Sequence, residues 1–266
     1  MMNRMDAKMI HALEITKTNR LKLARAFRHN KRVDCSIDCA IEGQMGKAYA
    51  DHPKQPSAYA ITVGPFWYFA GEANSAGGRE LLENFPAYNL FMPSPASWLE
   101  AAQEIFGERL KPFTRYSFSA ANLSQDHLSS IFSASSHQQR IVPIDSELAE
   151  RLASIPEGYF EITDFDSARD FAERGIGFAV MDGDQVMGVA YSSLVYSAGI
   201  EVSLFVGEPY RKQGLATALS ARLLLECLRL GLRPNWDAAN PESCKIAQNL
   251  GYIFTETYDS YYYRAE

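Results

Sequence analysis

Residues 199–231 read GIEVSLFVGEPYRKQGLATALSARLLLECLRLG, and the rest of the chain is best read outward from them. Ile200–Val206 is an apolar, β-branched run that predicts a buried strand. Gly207, Pro209 and Gly214 punctuate a turn, and a long helix is predicted from Leu215 or Ala216, with a polar stripe at Arg222, Glu226 and Arg229. The first turn of a helix carries N–H groups without intrahelical partners and the positive end of the dipole. Gly214 lets an anion approach that backbone, the small Ala216 keeps the first turn open, Thr217 adds a hydroxyl, and Arg211 and Lys212 add positive charge. The residues Gly207–Ala216 therefore suit an anion site of the kind built at helix N-termini. A capped helix start that needs Gly and Pro only to turn accounts for the same letters.

Downstream, Pro234–Ala239 (PNWDAA) reads as a strand. Asn240 is an N-cap with Pro241 at the first helical position, and the helix stops at Gly251, eleven residues after Asn240. Upstream, Ile176–Met181 and Gln185–Ser193 form a hairpin pattern across Asp182-Gly183-Asp184. Before it come a helix at Asp166–Glu173 ended by Gly175, a strand at Gly158–Asp164, a helix to about Ala153 capped by Asp145 or Ser146, and a strand at Arg140–Ile144.

The first half is a looser version of the same alternation. Residues 3–30 are predicted helical, broken near Thr16–Asn19, with an apolar stripe at Met5, Met9, Leu13, Leu21, Ala24 and Phe27. Strands are predicted at Val33–Glu42, Gly46–Asp51 and Ala58–Ala70, the last turned or bulged at Gly64-Pro65. A loop at Gly71–Gly78 leads to a helix over RELLENF, followed by strands at Tyr88–Met92 and Lys111–Ser119. Between those two strands lies a helix at Ser97–Phe106, with Ser97 as N-cap and Gly107 as stop. From Ala120 to His137 the composition turns to Ser, Asn, Gln and Asp, with one short helix at Asp126–Phe132. That stretch is the candidate linker, giving an N-terminal unit at 1–119, a linker at 120–137 and a C-terminal unit at 138–266. Each half runs through strands, a helix, a strand, a helix and a final strand, which makes the chain α/β (α+β) in class.

Composition narrows the function classes. The chain has 266 residues, 47% of them hydrophobic and 22% charged, with net charge −6. No uninterrupted apolar run reaches the ~18 residues of a membrane span. No signal-peptide pattern opens the chain, so a cytoplasmic protein is expected. Residues 1–33 are near +7 and the remainder near −13. The basic segment reads as the solvated face of a helix rather than a nucleic-acid arm, and the acidic remainder suits a cationic substrate. Cys35 and Cys39 are spaced C-x3-C, while Cys227 and Cys244 stand alone. The five histidines make no ligand spacing with them, so no metal is expected and the thiols are read as reduced and mostly buried.

Arg211-Lys212-Gln213-Gly214-Leu215-Ala216 resembles the Q/R-x-x-G-x-G/A signature of the GNAT superfamily of acyl-CoA N-acyltransferases. The block Asn235–Gly251 looks like the strand and helix that follow it in that superfamily. The resemblance covers roughly residues 138–266. It implies a mixed, mostly antiparallel GNAT sheet flanked by helices, with acetyl-CoA as cosubstrate. It implies that the backbone near Leu204, Phe205 and Val206 meets the pantetheine in a gap between two splayed strands. Arg211, Lys212, Gln213, Gly214, Leu215, Ala216 and Thr217 would hold the pyrophosphate, and Asn240 and Ser243 the cofactor arm. Glu201 is the implied general base for direct attack of a small-molecule amine on the thioester. Asp237 is a weaker alternative, and Trp236 either walls the acceptor site or fills the core. The family's usual tyrosine acid is replaced by Ala247.

The whole chain also looks like zwittermicin-resistance-type acetyltransferases. The carrying residues are Gly175–Phe178, Tyr210–Thr217 and Asn235–Asn240, with weaker agreement at Phe69–Gly71, Trp98 and Arg115-Tyr116. That implies a degenerate GNAT-like N-terminal half that binds no CoA. The expected protein is an N-acetyltransferase, monomer or homodimer, with no nucleic-acid or membrane partner. The alternative is a non-catalytic acyl-CoA-binding or sensing protein.

Overall fold

The structure is a computed structural model that describes residues 10–155 and 160–265. Two compact units emerge. One is built from the chain up to Arg32, Ser36–Thr114 and the residues from Asp259 onward; the other from Val33–Cys35 and Arg115–Tyr258. Each rests on a mostly antiparallel sheet flanked by helices.

In the first unit, β1 (His11–Leu13) pairs antiparallel with β2 (Lys47–Ala50). Between them lie α1 (Lys17–Ala26), whose N-cap Thr16 accepts a hydrogen bond from the Asn19 N–H at 3.2 Å, and α2 (Ser36–Glu42). β3 (Ala58–Val63) and β4 (Phe66–Gly71) form a hairpin across Gly64-Pro65. α3 (Ala76–Glu83) is capped by Ser75, β5 (Leu90–Met92) runs parallel to β4, and α4 (Ser97–Phe106) ends at Gly107. An aromatic core of Trp67, Phe69, Phe85, Phe91, Trp98 and Phe106 binds these elements, with Phe69 stacked on Trp98 at 5.0 Å.

Three expectations for this unit are corrected. The predicted helix over 3–30 has its residues 3–9 outside the described set, and His11–Leu13 is a strand, drawn into edge pairing with β2. The predicted strand Val33–Glu42 is α2 from Ser36 onward. It buries Ser36, Ile37, Cys39 and Ala40, one helical stripe rather than one face of a strand. Ser97 is the first helical residue, and the cap position falls on Ala96, which makes no side-chain cap bond.

The second unit opens with the C-terminal part of β6 (Leu110–Ser119). It continues through α5 (Gln125–Ala134), β7 (Ile141–Pro143), α6 (Ser146–Ala153), α7 (Ala168–Arg174), β8 (Gly177–Asp182), β9 (Gln185–Tyr196), β10 (Gly199–Val206) and α8 (Leu215–Leu230). β11 (Arg233–Ala238), α9 (Pro241–Leu250) and β12 (Ile253–Tyr263) complete it, the last five residues of β12 belonging to the first unit. The strand order is β12-β6-β11-β10-β9-β8-β7. Pairing is antiparallel at β7–β8, β8–β9, β9–β10 and β6–β11, and parallel at β10–β11. α8 buries Leu215, Ala218, Leu219, Ala221, Leu223, Leu224 and Cys227, far more than a single stripe, because β8, β9 and β10 pack on one side and α5 on another.

The stretch 120–137 was expected as a linker. It carries α5, whose Leu128 is fully buried and whose Ile131 and Phe132 join a core with Ala221, Leu224, Trp236 and Ala247. Of the predicted strand Gly158–Asp164, residues 158 and 159 lie outside the described set. Residues 160–164 form no strand; Phe160 instead packs against Phe171 and Tyr191.

β10 is held to β11 by a close approach at its first residue. A Cβ on Gly199 would lie 2.0 Å from the Arg233 carbonyl oxygen. Gly199→Ala is expected to lower stability by roughly 2 kcal/mol or more by forcing the two backbones apart, read as a fall in Tm of several degrees.

Candidate active site

β10 and β11 are paired only at their first residues, Gly199↔Arg233, Ile200↔Pro234 and Glu201↔Asn235. Beyond Glu201 they are unpaired and form a fork. The same point carries an irregularity on the other side of β10, where its register against β9 shifts between Glu201 and Val202. A strand flanked on both sides is usually buried, and Gly199 and Ile200 are. From Glu201 to Val206 every residue is only half-buried, so the fork leaves one edge of β10 and its backbone groups accessible. Leu204, Phe205 and Val206 lie along that edge.

At the end of β10 the chain turns through a 3-10 turn at Glu208–Tyr210 into α8. Two side chains brace the turn: Arg211 Nε donates to the Val206 carbonyl at 3.2 Å and Gln213 Nε2 to the Pro209 carbonyl at 3.2 Å. Lys212 and Gly214 both have positive φ, +61° and +81°. Gly214 occupies the N-cap position, where no side chain caps the helix, and nothing lies within 4 Å of a Cβ built on it. Ala218 N–H makes the first helical bond, to the Gly214 carbonyl, so the N–H groups of Leu215, Ala216 and Thr217 precede any intrahelical acceptor. Arg211–Gly214 are exposed and Ala216 and Thr217 half-buried. The Leu215 side chain sits in the core, so this residue can offer a ligand only its backbone.

The loop after α5 supports the same turn, with His137 Nε2 lying 3.0 Å from the Gln213 carbonyl. Ser135, Ser136, His137, Gln213, Gly214 and Thr217 line a cavity of about 340 Å³ at the helix start. Sequence reasoning missed this wall because its polar letters read as a linker.

On the far side of the fork, Asn240 Oδ1 accepts the Ser243 N–H at 2.8 Å, the predicted cap, and Ser243 Oγ accepts from Trp236 Nε1 at 3.1 Å. Trp236 is buried in the core under α8 and α9, which resolves its two readings in favour of filling the core. Asn240→Ala removes the cap and is expected to cost about 1 kcal/mol, measured by denaturant unfolding. Ala247 is wholly buried in the same core, so α9 places no proton donor at that position.

The residues that sequence reasoning missed lie on the next strand and beyond. Arg115 on β6 donates from Nε to Asp237 Oδ2 at 2.6 Å, and the Tyr258 hydroxyl donates to the same oxygen at 2.8 Å. The Arg115 and Asp237 side chains are 9% and 2% exposed. Burial pushes the Asp237 carboxyl up to about 6, and Asp34 pushes it the same way, while Arg115 pulls against them. Burial alone would lower the Arg115 guanidinium, but Asp237 and Tyr258 hold it above its ordinary value. Burial first, then Asp237, raises Tyr258, which therefore keeps its proton as a donor. Arg115 sits within a strand-like run, but nothing local in the sequence pairs it with a carboxylate over a hundred residues away.

The thiols behave as structural groups. Burial pushes Cys227 up to about 12, and Cys244 is raised for the same reason. Among the described residues no cluster of three His, Cys, Asp or Glu side chains is placed to hold a metal ion, and no helix is long and apolar enough to cross a membrane.

The chain as a whole is similar to known proteins. The sequence profile of the GNAT acetyltransferase family matches residues 27–261. An uncharacterized N-acetyltransferase of Bacillus subtilis, YdfB, is 24% identical over 231 residues, covering 82% of this chain and 85% of its own. A crystal structure of a GCN5-related N-acetyltransferase-like protein from Streptococcus suis superposes with a TM-score of 0.81 at 29% identity, over 93% of this chain and 99% of that one. A tandem GNAT protein from the clavulanic acid biosynthesis pathway shares the fold alone, with a TM-score of 0.52 at 12% identity over 96% of both chains. A strand fork that opens onto an uncapped, glycine-led helix start, within a chain matched by the family's profile over most of its length, places this protein in the GNAT acetyltransferase family.

Proposed function

We propose that the protein transfers an acetyl group from acetyl-CoA to the amine of a small molecule by direct attack. The observation that carries this reading is the fork: half-buried β10 residues Glu201–Val206 lead straight to the exposed, uncapped start of α8. The residues fit the cosubstrate. The N–H groups of Leu215, Ala216 and Thr217 and the open space at Gly214 suit a pyrophosphate, with Arg211, Lys212 and Gln213 around it. The backbone of Leu204, Phe205 and Val206 offers a strand edge to the pantetheine amides. Asn240 keeps its side-chain amide N–H groups, and Ser243 its hydroxyl proton, for the cofactor arm, because the cap and the Trp236 bond use only their oxygens as acceptors.

When bound, acetyl-CoA supplies an activated acyl carbon. Glu201, at the point where the fork opens, accepts the proton that the attacking amine loses. With Ala247 in the family's acid position, the departing thiolate takes its proton from water. Within the family, the motifs at Gly175–Phe178, Tyr210–Thr217 and Asn235–Asn240 support a reading of the chain as a zwittermicin-resistance-type enzyme. The test is free-thiol release from acetyl-CoA across a set of amines. Release above the hydrolysis rate supports the reading; bound acetyl-CoA with no amine-dependent release contradicts it. That second result is the one a non-catalytic acyl-CoA-binding protein would give, a reading favoured by the burial of Ala247 alone.

A further inference from the structure

Asp237 lies on β11 two residues past Asn235, where pairing with β10 ends. Strand alternation puts it on the same face as Asn235, and Asn235 is the in-register partner of Glu201. Its carboxylate is asymmetric. Oδ2 is held twice, by Arg115 Nε at 2.6 Å and the Tyr258 hydroxyl at 2.8 Å, while an Arg115 terminal nitrogen also donates to the Asp237 carbonyl at 3.3 Å. Oδ1 is buried and has no hydrogen-bond partner.

Buried polar atoms in native proteins are overwhelmingly paired, and a carboxylate oxygen shut away from both water and a donor calls for an explanation. Its two clamps fix the plane of the group and so preset the direction in which Oδ1 accepts. Asp34, from the segment before α2, adds its negative charge near Asp237 and raises the carboxyl. A cationic N–H donor completes Oδ1 and meets that charge. The confinement of Oδ1 favours a small head, and a primary ammonium has three N–H donors and one substituent.

We infer that Asp237 is the acceptor-recognition residue, its Oδ1 taking an N–H of a primary ammonium group on the substrate, with Arg115 and Tyr258 as positioning residues. The assignment rests on the transferase reading and deepens it: Glu201 moves the proton, and Asp237 selects and orients the amine.

Asp237→Asn tests it, with propylamine and 1,3-diaminopropane as primary amines and diethylamine as the secondary control. Wild type is expected to favour the primary amines. In the variant, kcat/KM for at least the diamine should fall roughly 30- to 100-fold, mostly through KM, with acetyl-CoA affinity by calorimetry within about twofold. The monoamine reports on the reacting nitrogen and the diamine on a second one, and loss for either supports the assignment.

The pH profile separates recognition from a structural role. Arg115 from β6, Tyr258 from β12, Asp34 and, from α9, Cys244 face this carboxyl, and of these Arg115 stays protonated and Tyr258 and Cys244 stay neutral across the acidic range. Glu201 on β10 shares this face and, as the base, must also be ionised, so wild-type kcat/KM should fall as pH drops through about 6 and the variant should keep only the part of that limb that Glu201→Gln removes. Should Asp237→Asn fail to fold, Tyr258→Phe removes one donor to the carboxylate. It is expected to move the acidic limb to higher pH and lower kcat/KM several-fold. Unchanged kcat/KM and an unchanged limb, in a variant that still binds acetyl-CoA, overturn the assignment of Asp237 alone. A wild-type protein that releases no thiol with any of the amines removes the transferase reading and this assignment with it.

Discussion

Gly214→Glu is expected to weaken acetyl-CoA binding by more than roughly 100-fold and to lower the unfolding temperature by several degrees. Two effects add. Gly214 has φ +81°, a conformation that costs a residue with a Cβ of order 1–3 kcal/mol. The new carboxylate also stands where the α8 dipole and the Leu215–Thr217 N–H groups favour negative charge, and it repels the pyrophosphate they would hold. Gly214→Ala separates the two. Nothing lies within 4 Å of its Cβ, so only the backbone cost remains, and a loss of about fivefold to tenfold is expected. Calorimetry with acetyl-CoA reads both. ATP binding as tightly as acetyl-CoA to wild type would show that the turn holds phosphates without selecting the thioester carrier.

Glu201→Gln carries the second large effect. Glu201 is the last β10 residue paired to β11 and lies where the register against β9 shifts. The substitution keeps shape and polarity and removes the proton acceptor. A positioned general base contributes about 10²- to 10⁴-fold, so kcat is expected to fall by at least ~100-fold with the Kd for acetyl-CoA unchanged. An unchanged kcat in the variant removes Glu201 as the base. Together with Asp237→Asn, the result divides the labour of two carboxylates on one face: loss in kcat for Glu201, loss in KM for Asp237. Asp237 also carries a linkage to stability. Its folded-state carboxyl is raised, so its contribution is greatest in acid and is lost as pH rises through about 6. Asp237→Asn should therefore cost least near neutral pH, where the native carboxylate is hardest to keep buried.

The two halves of the chain differ in how much their letters disclosed. The β10–α8 and β11–α9 blocks were legible to within a residue or two because their signals are local. Gly214 and Gly231 bracket one helix in left-handed conformations, Asn240 and Pro241 start the other, and Gly251 ends it. Val33–Glu42 misled because Val33, Cys35 and Ile37 alternate like a strand. Tertiary packing chose the helical stripe at Ile37, Cys39 and Ala40, in the segment just after Val33–Cys35 leaves for the other unit. In residues 120–137 the short helix at 126–132 was legible, but the polar composition around it hid that Leu128, Ile131 and Phe132 join one core with α8. In the candidate site, the cofactor side follows from contiguous motifs. The Arg115–Asp237–Tyr258 clamp joins three strands and depends on strand order, with β6 beside β11 rather than beside its neighbours in sequence. No pattern of spacing encodes that adjacency.

We propose that this chain moves an acetyl group from a thioester to an amine without parking it on the protein. The most direct test is single-turnover mass spectrometry with acetyl-CoA carrying a heavy-isotope acetyl group and a primary amine. The label is expected to appear as an amide on the amine in step with free CoA, with the protein mass unchanged. Label retained on the protein, or released only as acetate while the amine stays unmodified, would contradict it.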